Sequence, residues 1–121
     1  MANLTLSDMM DMQKELWEKN KEKWPEMTPS HARTSMLWMM AEMGEAAQIM
    51  KKRGEDDIMK DEFLREEFVT ELTDILMYFS NFCMCFSITP EELSNAYIQK
   101  HNKNLDRDFY NERRNYLRQT K

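Results

Sequence analysis

Glu42 and Glu45 in AEMGEAAQ, and Glu71 and Asp74 in ELTDILMY, form two acidic pairs of i,i+3 spacing inside otherwise apolar, helix-patterned runs. Residues three apart share a helix face, so each pair aims both carboxylates the same way. An ionised carboxylate removed from water without a partner costs several kcal/mol or takes up a proton, so four together call for cations between them. Hard oxygen ligands point to Mg2+, with Mn2+ as the alternative. Such an ion keeps positions for water and a phosphate chain, lowers the pKa of a bound water, and offsets charge developing at phosphorus. One carboxylate can also take the proton of the attacking water. The plainer alternative is solvated helix surface or pairing with Lys and Arg, since a lone ExxE or ExxD is common in helices. Two pairs, each beside an apolar stripe on neighbouring long helices, favour the metal reading.

A second constellation is basic. Lys100, Asn104 and Arg107 in KHNKNLDRD share one face if their helix persists, with Leu93 and Ala96 on that face nearer its start. Lys as a point charge, Asn as an amide donor and Arg as a fork suit phosphate oxygens. The alternative is a basic last turn complementing the helix dipole. Trp38, one turn before Glu42, and Tyr78, one turn after Asp74, flank the acids and can stack on a base. Gln13, Trp17, His31 and Lys52 are weaker candidates that packing or capping would equally explain.

The elements that must carry these residues are helices. Thr5 or Ser7 caps a first helix running to about Lys23 and stopped by Trp24-Pro25, with Leu6, Met9, Met10, Gln13, Leu16 and Trp17 recurring at three and four. Thr28 and Pro29 open a second, which stops at Gly54 after Lys51-Lys52-Arg53. Residues 55–60 form a charged connection or a short helical turn. A third helix extends from about Glu62 to Phe86 with Phe68, Leu72, Ile75, Phe79, Phe82 and Phe86 as its core stripe. Beside that stripe runs a strip of Glu67, Glu71, Asp74, Tyr78 and Asn81, and on the second helix His31, Ser35, Trp38, Glu42, Glu45 and Ile49 share one side. Two antiparallel helices would therefore gather the four carboxylates. Thr89-Pro90-Glu91-Glu92 opens a fourth helix continuing to about Asn104 or beyond, and 109–121 is a polar, basic tail, either a last helix or a frayed arm.

The ordered set of AEMGEAAQ, ELTDILMY and a proline-started helix carrying KxxxNxxR resembles the MazG-like all-α nucleoside triphosphate pyrophosphohydrolase superfamily. That superfamily includes the dimeric dUTPases and the dCTP pyrophosphatases, and the resemblance covers roughly Met36 to Asp108. It implies an all-α bundle of four to five helices completed by oligomerisation. It also implies Mg2+-dependent hydrolysis of an NTP or dNTP to the monophosphate and pyrophosphate by metal-activated water. Glu42, Glu45, Glu71 and Asp74 match the metal-binding acids, Lys100 and Asn104 match the phosphate-contacting pair, and Arg107 continues it. A homodimer is the minimum assembly the resemblance implies, and a tetramer is the larger alternative. Dimeric dUTPases are commonly longer chains with extra helices, so the dUTPase resemblance is the weaker one. A base-restricted dUTP or dCTP pyrophosphatase, a non-catalytic helical nucleotide- or metal-binding regulator, and a purely structural helical dimer are the alternatives.

Composition agrees with one compact helical domain whose core spans 28–108. Charged residues make up 32% of the 121, yet there are only two Gly and three Pro, which favours long helices over sheets or disorder. The net charge of −5 argues against nucleic acid or an anionic membrane as main partner. Cys83 and Cys85 lie two apart in a helical pattern, point away from each other, and read as buried free thiols. An acidic N-terminus and the lack of a long apolar run give a soluble, cytoplasmic expectation.

Overall fold

The computed structural model describes residues 2–119, and among these the chain is helical with no strand. Helix α1 spans Leu6–Asn20, α2 Ala32–Arg53, α3 Glu55–Lys60, α4 Glu62–Cys85, α5 Pro90–Leu105 and α6 Phe109–Gln119, with a 3-10 turn at Pro29–His31. The Cα packing divides after Pro90 into two units.

In the first unit, α1 opens on a reciprocal capping box. Thr5 Oγ1 accepts from the Asp8 amide at 3.1 Å, and Asp8 Oδ2 accepts from the Thr5 amide at 3.0 Å. This answers two amides that lack helical partners and settles the choice between Thr5 and Ser7. The helix ends at Asn20, earlier than the sequence suggests. There the Asn20 carbonyl takes both the Lys23 and Trp24 amides at 2.9 Å, and the chain turns ahead of Pro25. Thr28-Pro29 does start a helical segment, but as the 3-10 turn. The Thr28 hydroxyl bonds Ser30 Oγ and His31 Nδ1, each at 2.9 Å, instead of capping α2.

Gly54 stops α2 with φ +84, a conformation that side chains resist, and its amide bonds the Met50 carbonyl at 2.9 Å. The charged connection is the short helix α3. Asp61 then caps α4, its Oδ1 accepting from the Phe63 and Leu64 amides at 3.0 and 3.2 Å. Arg53 reaches across the connection to Asp57 at 3.3 Å and Asp61 at 3.2 Å, tying the end of α2 to the start of α4.

Helices α2 and α4 form an antiparallel pair: Ser35 meets Cys85 at one end, Trp38 meets Tyr78 next, and Glu42 meets Glu71 beyond. Most of the buried side chains of α2 and α4 are small: Ala32, Ser35 and Ala46 on α2, and Ser80, Cys83 and Cys85 beside Leu64 on α4; Met10 and Gln13 of α1 and Ile58 of α3 are also buried. The sequence places the core along the large residues Phe68, Leu72, Ile75, Phe79, Phe82 and Phe86. Instead Leu72 and Phe86 are exposed and the other four are half-buried. Small side chains take most of the fully buried positions, and of the large residues on α4 only Leu64 is buried. Cys83 and Cys85 are both buried and free, as their pattern suggests.

The second unit carries the rest of α5 and α6. α5 ends at Leu105, short of Arg107. Asp108 opens α6, its Oδ1 accepting from the Asn111 amide at 3.1 Å, so this stretch of the tail is a helix. Arg114 stacks over the Tyr110 ring at 5.6 Å.

Candidate functional site

Glu42, Glu45 and Glu71 each place a carboxylate oxygen so that all three lie within 4.8 Å of one another. Their spacing follows from α2 presenting its i,i+3 pair to the matching turn of α4. Glu42 Oε2 and Glu71 Oε2 are buried with no hydrogen-bond partner among the described residues. A buried acceptor left unanswered costs on the order of 1–3 kcal/mol, more when charged.

The same crowding shows in their proton affinities. The Glu42 carboxyl set against it, followed by burial, raises the Glu71 pKa. Glu45 is raised chiefly by hydrogen bonding with Glu71 and by its charge. Two carboxyl groups in contact share a proton unless a metal cation between them lets both stay ionised. The oxygens therefore suit a hard divalent ion: an all-oxygen donor set, close-set, with two of its atoms otherwise unsatisfied.

Asp74 does not join that triad. It raises the pKa of Glu45, Glu71 and Tyr78 through its charge and lines the neighbouring cavity. This cavity, of about 350 Å3, lies between α1, the 21–28 loop, α2 and α4. Trp38 and Tyr78 line it as a tilted pair with centroids 5.6 Å apart. Burial pushes the Tyr78 phenol up, and the charges of Glu42, Asp74 and Glu45 add to that. Gln13, Trp17 and His31 line the same cavity, whereas Lys52 and Glu67 are exposed and do not.

Two contributions were not assigned from the sequence. The 21–28 loop brings Trp24, Pro25 and Met27 to the wall, held by a 2.8 Å bond from Trp17 Nε1 to the Pro25 carbonyl. That bond spans eight residues, and no periodicity in the sequence signals it. Asn81 lies on the cavity wall with Oδ1 buried and unpartnered. Its place on the acid strip of α4 was readable, but its isolation was not.

In the second unit, Lys100 is exposed, and Arg107 Nη1 donates to Asn104 Oδ1 at 3.4 Å. Because α5 ends first, Arg107 sits in the turn beyond it and does not continue the helical face of Lys100 and Asn104. Its guanidinium grips Glu112, with Nη2 at 2.6 Å from Oε2. It therefore holds the start of α6, and only part of its charge faces elsewhere.

Compared with known proteins, the chain matches no family model, no curated protein and no solved structure.

Proposed function

We propose that this protein is a Mg2+-dependent nucleoside triphosphate pyrophosphohydrolase, cleaving an NTP or dNTP to its monophosphate and pyrophosphate. The observation that carries the reading is the triad of Glu42, Glu45 and Glu71 with two buried, unsatisfied oxygens, opening beside an aromatic cavity. These three residues hold Mg2+ or Mn2+, with Asp74 adding negative charge from the cavity wall. When bound, the ion supplies positive charge to the phosphate chain and makes water a better nucleophile at the phosphorus nearest the sugar. Glu45, the most open of the three, is placed to take the proton from that water. Trp38 and Tyr78 give the base an aromatic wall. The resemblance assigns phosphate contacts to Lys100 and Asn104 of the second unit, with Arg107 shared between that role and Glu112.

A second copy of the chain belongs to the reading. Leu37, Met40 and Met43 of α2 and Val69, Leu72 and Leu76 of α4 are exposed, and no large side chain of the described residues is fully buried. Continuous apolar helix faces of this kind mark an interface. Among the described residues no single helix is long and apolar enough to cross a membrane.

The test is pyrophosphate release from a panel of NTPs and dNTPs with and without Mg2+. Release that requires the metal and is lost in Glu42→Gln is expected. Folded protein that releases none from any member of the panel would overturn the reading. Binding without turnover would instead favour a nucleotide-binding regulator.

A further inference from the structure

Two short stretches of this chain match each other in spacing and oppose each other in charge. In the first turns of α4, Phe63 is followed at three and four residues by Glu66 and Glu67; in the first turns of α6, Tyr110 is followed at the same distances by Arg113 and Arg114. Residues three and four apart share a helix face, so each helix presents one aromatic ring flanked by two like charges. Phe63 is 86% exposed and Tyr110 71%. Glu66 and Glu67 are exposed and form no ion pair among the described residues, and the same holds for Arg113, Arg114 and Arg118. Neither face is used by the unit that carries it. The Asp61 cap already answers the first amides of α4 without the Phe63 ring. Residues 110–119 are all exposed, and a helix of 11 residues is marginal in water unless a face of it is packed. Arg114 stands over the Tyr110 ring at 5.6 Å, which fixes ring and charge together before anything arrives.

We propose that α6 of one copy docks on the first two turns of α4 in a second copy, ring against ring and arginine against glutamate. Charge complementarity selects the occupant. With the two helices side by side, the shared aromatic-to-charge spacing lets the ring contact and both charge contacts form in one register. Arginine meets carboxylate as a directional fork, and Tyr and Arg are the side chains that most often carry interface energy. Made in both directions, the contact closes a two-fold dimer with no open end. It uses residues other than those of the exposed α2–α4 face, and it depends on neither the metal nor the nucleotide reading.

Hydrogen exchange at the α6 amides of the full-length chain tests this, because an undocked helix with no buried face exchanges freely. One variant reverses the basic face, with Arg113→Glu, Arg114→Glu and Arg118→Glu; another reverses the acidic face, with Glu66→Lys and Glu67→Lys. Circular dichroism checks that each is folded, and Phe63→Ser replaces the lysine variant should that one fail. In wild type α6 should be protected. In the lysine variant, whose α6 is unaltered, exchange should quicken about tenfold. Equilibrating that protein with the arginine-reversed one should restore the protection, because the intact glutamates of one copy then receive the intact arginines of the other. Recovery on mixing arises only between copies. Free exchange of α6 in wild type, which would leave its face to some other partner, overturns the proposal. So does protection unchanged in the lysine variant, or protection lost there and not recovered on mixing, the mark of docking within one chain. A protein that releases no pyrophosphate loses the hydrolase reading and keeps this one.

Discussion

At the scale of single residues the protein is organised around an electrostatic conflict. Glu71 and Glu45 are crowded by neighbouring carboxyl groups, so the folded state disfavours their charged forms. A carboxyl whose folded pKa is raised gives stability that is fully present below its unfolded value and lost as pH rises through the folded one. Without a divalent ion, this contribution therefore disappears as pH climbs past the ordinary glutamate value of 4.5. Glu71→Gln should accordingly melt higher than wild type in EDTA above that range, and the two should converge below it. Added Mg2+ should raise the Tm of wild type and leave the variant unmoved, as expected for a ligand that binds only the native site. A wild-type melting curve indifferent to Mg2+ at neutral pH would count against the metal centre. The same conflict separates these acids from Asp8 and Asp61, whose pKa values are lowered by capping bonds to backbone amides.

At the scale of elements, the spacing of the triad is controlled by residues that never touch a ligand. Ala46 follows Glu45 and is buried. Ala46→Val should overpack this position, costing about 1–3 kcal/mol in a denaturant melt. It should also weaken the thermal shift given by Mg2+ more than that given by the larger Ca2+, because Mg2+ demands short, near-ideal ligand distances. An equal loss for both ions would mean that packing at Ala46 does not set the geometry. Much of this scale was legible in the sequence. The capping residues, Gly54, Pro90 and the acid spacing announce α2, α4 and α5 to within a few residues, because each signal is local chemistry of the backbone. The small-residue core was not legible. Hydropathy gives most weight to Phe and Leu, whereas the fully buried positions of α2 and α4 go mostly to Ala, Ser and Cys. For the same reason three of the four acids converge while Asp74, one turn along, faces the cavity: face and phase can be read from spacing, but the rotation of one helix against another cannot.

For the whole molecule, the exposed apolar side of the α2–α4 pair leads to an expectation of self-association. Leu37 is 64% and Met40 59% exposed, adjacent on one stretch of α2. Sedimentation velocity should find a dimer or larger assembly, and Leu37→Glu with Met40→Glu should shift it toward monomer, because each charge would have to be buried unpaired. Wild type sedimenting as a monomer at micromolar concentration would contradict that expectation. The connection from α2 through α3 to α4 has a further consequence. Because Gly54 and the Arg53–Asp61 clasp turn the chain straight back on itself, Glu42, Glu45 and Glu71 all belong to one helical hairpin. Contacts so near in sequence close with little loss of chain entropy and form quickly. The acidic centre is thus a local product of folding, assembled when this single hairpin zips shut.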